Sequence, residues 1–185
     1  MKSRLVFLLL GAMLIATPQI RATVLPESCG GDETRFDVKV AKPPEGQPAP
    51  DIAPPAAGKA QIVFVETVNA EGFQWTTPTT RFGLDGQWVG ANHGDSHFAI
   101  DVTPGEHNVC VNWQSENLSE SNRVGMDTFT AEAGKIYYYE IKIVRIPGAE
   151  RMDFLFDLKQ LGGIEGRYRV KASGVSTWKS KKQTN

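Results

Sequence analysis

Short runs of alternating apolar and polar residues recur along the chain from residue 60 onwards, separated by turn residues. This spacing predicts short β-strands rather than amphipathic helices. Ala60–Thr67 is apolar on both faces, which is typical of a central strand covered on both sides. Met152–Leu158 carries its large apolar residues on one face only. We therefore expect an all-β fold, an antiparallel β-sandwich of immunoglobulin-like or transthyretin-like type.

Turn dipeptides divide these runs and predict which strands form hairpins. Asp85-Gly86 is a strong two-residue turn signal, and Pro104-Gly105 predicts a second hairpin. Ala133-Gly134 predicts a third strand pair. The first hairpin spans Thr80–Asn92 and pairs Phe82 with Val89 and Trp88 with Gly83; the second pairs Val102 with His107, Ile100 with Val109 and Phe98 with Val111; the third pair joins residues 123–131 to 136–145.

Alternation along the second hairpin sorts its side chains onto two faces. Phe98, Val111 and Trp113 share the apolar face, which we expect to lie in the core. Cys110 has the opposite parity, so it is predicted on the outer face of the sheet, opposite Ala99.

The amino terminus has the pattern of a secretory signal peptide over residues 1–22. Lys2 and Arg4 precede the apolar run Leu5–Ile15, which is too short to span a bilayer comfortably. Ala22 is a suitable residue before a cleavage site, with cleavage after Ala16 as the alternative. No later segment is apolar enough to span a membrane, so the mature chain is expected to be exported without a transmembrane segment.

The remaining chain divides into three parts. Residues 23–58 hold a predicted short strand, Arg35–Val40, and a linker over 43–58, whose six prolines favour an extended and unpacked segment. Residues 59–173 are the predicted β-sandwich domain, ending in a short helix over 164–173. Residues 174–185 are expected to be a basic, disordered tail.

Charge is distributed unevenly along the chain. Residues 23–164 have a net charge of −9, whereas residues 165–185 have a net charge of +5. A basic terminus is one way to bind nucleic acid or anionic lipid. We favour a solvated terminus, because an acidic body repels phosphate and export argues against a nucleic-acid partner.

Two cysteines, Cys29 and Cys110, form an even set that suggests one disulfide in an oxidising compartment, with two free thiols as the alternative. A bond from the outer-facing Cys110 requires the N-terminal segment to cross the back of the sheet. A lipid anchor at Cys29 is not expected, because Glu27 is unsuited to a lipidation signal.

Candidate catalytic and metal-binding patterns do not pass a geometric check. The predicted hairpin separates His97 from His107 by about 16 Å, too far for one zinc ion, and His93 lies in a turn. Asp95-Ser96-His97 resembles a triad in composition, but adjacent strand residues point to opposite faces. No phosphate-binding glycine motif occurs. We expect no catalytic residue, no metal and no cofactor.

Two tryptophans are candidates for a ligand platform. Trp75 lies in a predicted loop and Trp88 lies in the first hairpin, where exposed indoles would stack on a sugar ring or a proline-rich peptide. The alternative for Trp88 is packing, because a tryptophan opposite a glycine covers the exposed backbone of its neighbour.

Three motifs carry a family resemblance over roughly residues 29–170. They are a "DG..VG" turn, a "PGEH" turn and "aGK.YY", here Asp85–Gly90, Pro104–His107 and Gly134–Tyr138. The chain resembles exported bacterial proteins, many of them lipoproteins, that share a domain of unknown function. Cys29-Gly30 and "VCVNWQ" resemble the secreted branch from soil bacteria, and the cadence is similar to PEGA-type surface modules. The resemblance implies an envelope β-sandwich with no assigned activity.

These patterns together favour a non-enzymatic interaction domain that is periplasmic, cell-envelope-associated or secreted, whose partner is an envelope protein or a glycan. The alternative is a carbohydrate- or peptide-binding module that uses Trp75 and Trp88. An enzyme of unrecognised type is a third hypothesis, which would require a cleft with convergent polar groups.

Overall fold

Two β-sheets face each other in the structure of the protein, a computed structural model that describes residues 29–30, 34–68, 77–114, 124–145 and 154–182. The sandwich confirms the predicted fold class. Its elements are β1 Thr34–Ala41, β2 Ala60–Val68, β3 Thr79–Leu84, β4 Gln87–His93, β5 Ser96–Val102, β6 Gly105–Trp113, β7 Val124–Ala131, β8 Ile136–Arg145, β9 Phe154–Leu161, α1 Gly163–Lys171 and β10 Gly174–Lys182.

The larger sheet has six strands in the order β1-β10-β5-β2-β8-β9, and the smaller sheet has four in the order β4-β3-β6-β7. Most neighbours are antiparallel, but β2 runs parallel to β8, and β10 runs parallel to β5 over two residue pairs. The fold is therefore a mixed sandwich rather than a wholly antiparallel one.

The core lies between the two sheets and is rich in aromatic rings. The ring of Phe64 on β2 lies 4.8 Å from that of Phe82 and 5.2 Å from that of Phe98, measured between centroids. Val63 and Val65, on the other face of β2, are also buried and belong to a second cluster beneath α1. The prediction that β2 is covered on both sides is confirmed.

The predicted hairpin about Pro104-Gly105 is wrong. β5 and β6 belong to different sheets, so Phe98 pairs with Phe64 in one sheet and Val111 pairs with Phe82 in the other. The chain crosses between the layers at this turn. Both arrangements bury the same apolar faces, and for that reason the hydrophobic pattern did not distinguish them. The cross-strand neighbours of Cys110 are Gly83 and Met126 rather than Ala99.

The strand pair predicted about Ala133-Gly134 is wrong for the same reason. β7 pairs with β6 in the smaller sheet, whereas β8 pairs with β2 and β9 in the larger one. Tyr139, Ile141 and Ile143 still face the core together, as their alternation requires.

The hairpin about Asp85-Gly86 is confirmed, with one correction to its register. Both turn residues have positive φ, 50° and 82°, as a two-residue turn of this kind needs. Trp88 pairs with Gly83 as predicted, but Phe82 pairs with Gly90 instead of Val89, since an irregularity follows Phe82. The shift has the form of a β-bulge, which places one extra residue on β4.

The proline-rich segment 43–58 is packed onto the domain, contrary to the prediction of an unpacked linker. The amide of Ala49 donates to the carbonyl of Lys171 at 3.0 Å, and the Lys171 ammonium donates back to the Ala49 carbonyl at 3.1 Å. The same ammonium lies 2.7 Å from the Asp51 carboxylate. Composition alone does not reveal such contacts, because an extended proline-rich chain is compatible with either state.

The predicted disordered tail over residues 174–185 is also wrong, because residues 174–182 form β10. This strand pairs with β1 over eight residue pairs, from Gly174's neighbour Val175 to Lys182. The sandwich domain therefore extends beyond the predicted limits of 59 and 173 and includes both β1 and β10. The predicted signal peptide, residues 1–22, lies outside the described residues. Within the described part, no helix is long and apolar enough to cross a membrane.

Helix α1 lies against the outer face of the larger sheet. Val170 of the helix belongs to the buried cluster of Val63, Val65 and Tyr138. Gly166 faces the Tyr138 ring so closely that a Cβ would overlap it, and Tyr138 is only 5% exposed. The helix can approach the sheet only because position 166 has no side chain.

We expect Gly166→Ala to lower the free energy of unfolding by about 1–3 kcal/mol, because overpacking against Tyr138 outweighs the gain in helix propensity. Gly163→Ala is the matched control, since its Cβ would meet no atom closer than 3.5 Å. That variant should be neutral or slightly stabilising. Urea unfolding of both variants measures the difference, and a stabilising Gly166→Ala would contradict the helix placement.

Candidate functional site: a tryptophan-lined groove beside the disulfide

A disulfide between Cys29 and Cys110 attaches the N-terminal segment to the smaller sheet. Cys110 is fully buried on the outer face of β6, and the two Cα atoms are 5.2 Å apart. Its neighbour on β3 is Gly83, which leaves space for the segment to cross. The predicted disulfide and the predicted crossing on the back of the sheet are both confirmed.

Two polar side chains of the smaller sheet hold β1 beside this disulfide. Arg81, 5% exposed on β3, donates to the carbonyl of Thr34 at 2.9 Å and also bonds the side chain of Asn112. The Gln114 amide accepts a bond from the Phe36 amide at 2.6 Å and donates to the Phe36 carbonyl at 3.0 Å. Gln114 thus bonds the edge of β1 as a neighbouring strand would.

A groove of about 970 Å³ opens where the edges of the two sheets meet. One wall is the β3–β4 turn and the start of β4, and the opposite wall is β1 with the end of β10. The residues that line it are Gly30, Thr34, Phe36, Gly86, Gln87, Trp88, Trp178, Lys179 and Ser180.

Both tryptophans of the groove are half-buried and held by packing. The Arg81 guanidinium lies 4.4 Å from the centroid of the Trp88 ring, a cation–π contact, and Gly30 packs against the same indole. Trp178 packs on Phe98 with ring centroids 4.5 Å apart. Each indole therefore has a fixed position and retains some exposed surface.

The two predicted platform residues have different outcomes. Trp88 lines the groove, and it also packs beside Gly83 and Gly30, so both interpretations of this residue describe part of its role. Trp75 lies outside the described residues. Sequence reasoning missed Trp178, because it lies among lysines that suggested a solvated tail. The β-branched residues just before it, Val175 and Thr177, are the signal that would have predicted a strand.

The three histidines have separate hydrogen-bond partners. His93 bonds Thr79 at 2.8 Å, and His97 bonds Ser173 at 2.9 Å. Burial lowers the pKa of both imidazoles. In the described ranges, no group of three histidine, cysteine, aspartate or glutamate side chains is arranged to hold a metal ion.

His107 forms two hydrogen bonds that connect two turns. Its Nδ1 lies 2.6 Å from the Asp85 carboxylate and its Nε2 lies 2.7 Å from the Thr103 carbonyl. Burial alone would lower the pKa of His107, but the bonds to Thr103 and Asp85 outweigh it and raise the pKa. The imidazole therefore acts as a link between the Asp85-Gly86 turn and the start of β6, not as the rim residue expected from sequence.

The residues of Asp95-Ser96-His97 bond different parts of the structure. Asp95 accepts from the Val68 amide at 2.8 Å, and the Ser96 hydroxyl accepts from Ser176 at 2.8 Å. His97 bonds Ser173. These bonds join β2, β10 and the end of α1 to β5, so each of the three side chains has a structural partner.

Glu66 is a buried carboxyl that sequence reasoning missed. It is fully buried at the end of β2, where its Oε1 accepts from the Gly94 amide at 3.2 Å. Burial raises the pKa of Glu66 well above its usual 4.5, and the nearby Asp95 adds to this effect, while bonds from Thr80 and Gly94 oppose it. An acidic residue in a hydrophobic strand such as IVFVETV is the sequence signal that could have identified it.

The raised pKa of Glu66 predicts a loss of stability with increasing pH. The folded state holds this proton more tightly than the unfolded state, so its contribution is complete below about pH 4.5 and falls as the pH rises. We expect Glu66→Gln to become progressively more stable relative to the parent as the pH increases, by at most about 1.4 kcal/mol per pH unit.

Denaturant unfolding from pH 4 to pH 9 measures this difference. Glu132→Gln, which changes an exposed glutamate, is the matched control and should keep the pH dependence of the parent. A constant difference between Glu66→Gln and the parent over this range would contradict the assignment of a buried protonated carboxyl.

Compared with known proteins, the chain matches no protein-family model and no curated sequence.

Proposed function

We propose that the protein is an exported, non-enzymatic binding domain of the cell envelope that holds a carbohydrate in the groove between β4 and β10. The observation that carries the proposal is the pair of half-exposed indoles, Trp88 and Trp178, that line one groove. Aromatic rings offer flat apolar surfaces on which the C–H faces of a sugar can stack.

Polar groups around the two indoles suit the hydroxyls of a sugar. The groove is lined by the hydroxyl residues Thr34 and Ser180 and by the amide residue Gln87. A few polar groups beside apolar surfaces are the usual composition of a small-molecule site, where the polar groups set orientation. A carbohydrate needs both kinds of contact.

The indoles are held in place before any ligand binds. Arg81 and Gly30 hold Trp88, and Phe98 supports Trp178. A site whose side chains are already ordered loses less conformational entropy when it binds a ligand. This rigidity supports a recognition role for the groove.

Export is supported by two independent features. The chain begins with the pattern of a secretory signal, and its two cysteines form a disulfide. The proposed relationship to envelope proteins with a domain of unknown function agrees with both. In that proposal the motif residues act in folding, because Asp85 of the "DG" turn bonds His107 of the "PGEH" turn.

A glycan array, followed by calorimetry on the best oligosaccharide, tests the groove. We expect Trp88→Ala and Trp178→Ala each to weaken binding by about tenfold or more, because each removes one stacking surface. Tyr168→Ala is the matched control, since this aromatic residue is 67% exposed on α1, away from the groove.

Unfolding curves establish that each variant is folded, and Trp178→Phe replaces Trp178→Ala if the alanine variant is not. Equal affinity in the parent and both groove variants would contradict the proposal, and so would a parent that binds no glycan.

Removal of the disulfide should affect both stability and binding. We expect the double variant Cys29→Ser/Cys110→Ser to lose about 4–5 kcal/mol on the chain-entropy model for a loop closed over 81 residues. Ligand binding should also weaken, because Gly30 is no longer held against Trp88. Denaturant unfolding and calorimetry of the oxidised parent and the double variant give the comparison. Unchanged stability would show that the bond does not constrain the N-terminal segment.

A further inference from the structure

The outer face of the β1–β10 ribbon carries a concentration of positive charge. Strand register places Arg35 opposite Lys181, Asp37 opposite Lys179 and Lys39 opposite Thr177, all on the face turned away from the core. Four cationic side chains and one carboxylate therefore share a short two-stranded surface. All of them except Arg35 are exposed.

The ribbon does not neutralise this charge internally. The carboxylate of Asp37 pairs with the ammonium of Lys181. Among the described residues, no carboxylate lies within ion-pair distance of Lys39 or Lys179. Like charges placed directly opposite each other, as Arg35 and Lys181 are, disfavour strand pairing. An anion that bound across this face would relieve the repulsion.

The charge is local, because the rest of the chain is acidic. Residues 23–164 have a net charge of −9, whereas the ribbon face carries four cations against one anion. A polyanion would therefore be repelled by most of the surface and attracted at this face. Segregated charge of this kind guides a charged ligand to one site.

The basic face adjoins the tryptophan groove. Lys179 belongs to the groove wall together with Trp178, its neighbour along β10. Lys39 lies opposite Thr177, which is two residues, or about 7 Å, along the strand from Lys179. A linear chain that leaves the groove along the ribbon would meet both ammonium groups.

We infer that the ligand is an acidic polysaccharide, whose sugar rings lie on Trp88 and Trp178 and whose carboxylate or sulfate groups contact Lys179 and Lys39. The inference rests on the proposed function, since it specifies the class of carbohydrate that the same groove would bind. The groove supplies the stacking surface that a free phosphate or a lipid headgroup would not use, and the ribbon supplies the selectivity for negative charge.

Polygalacturonate and its methyl ester provide a matched pair of probes, because they share one sugar backbone and differ in charge. Calorimetry on the mature chain should show at least about tenfold tighter binding of polygalacturonate at low salt. This preference should disappear in about 1 M NaCl, where charges on the surface are screened.

Substitutions then assign the preference to the ribbon. We expect Lys39→Gln/Lys179→Gln to lose most of the preference for polygalacturonate while it retains binding to the methyl ester. Lys135→Gln/Lys142→Gln, which removes two exposed lysines elsewhere, is the matched control and should behave as the parent.

The outcomes separate this inference from the proposed function. Equal binding of the two polymers would overturn the inference and leave a groove that binds neutral sugars. Binding of polygalacturonate that is insensitive to Trp88→Ala and Trp178→Ala would overturn the groove. Equally tight binding of phosphatidylglycerol vesicles would overturn the choice of a polysaccharide, and binding of neither polymer would overturn both proposals.

Discussion

The disulfide and the β1–β10 ladder attach one N-terminal segment to both layers of the sandwich. Cys29 is bonded to the smaller sheet, whereas β1, a few residues later, pairs with β10 in the larger sheet. Arg81 and Gln114 add hydrogen bonds from the smaller sheet to β1. The edges of the two sheets are therefore held at a fixed distance, and the groove between Trp88 and Trp178 exists because of this double attachment.

Parity along single strands was predictable from the sequence, and the partners of those strands often were not. Alternation correctly placed Cys110 on an outer face, Trp88 opposite Gly83, and Phe98 in the core. The same alternation is satisfied whether a turn joins neighbours in one sheet or crosses between two sheets. The turns at residues 104–105 and 133–134 do the latter, so local turn chemistry gave the wrong strand pairs there.

The site was only half predictable, because its second tryptophan and its cations lie in a segment that resembles a disordered tail. Lys179 and Lys181 alternate with Ser180 and follow Trp178, which is a strand pattern with one polar face. The high positive charge hid that pattern until β1 supplied a partner. Glu66 was missed for a related reason, since a single acidic residue in an apolar strand has no local sign of burial.

Peptide mapping of the mature protein from its native compartment, under non-reducing conditions, tests the double attachment most directly. Mass spectrometry should find a cross-linked pair of peptides that contain Cys29 and Cys110 and should find it in nearly all of the protein. Recovery of both cysteines as free thiols would contradict the account, because the N-terminal segment would then lack its bond to the smaller sheet and the wall beside Trp88 would not be fixed.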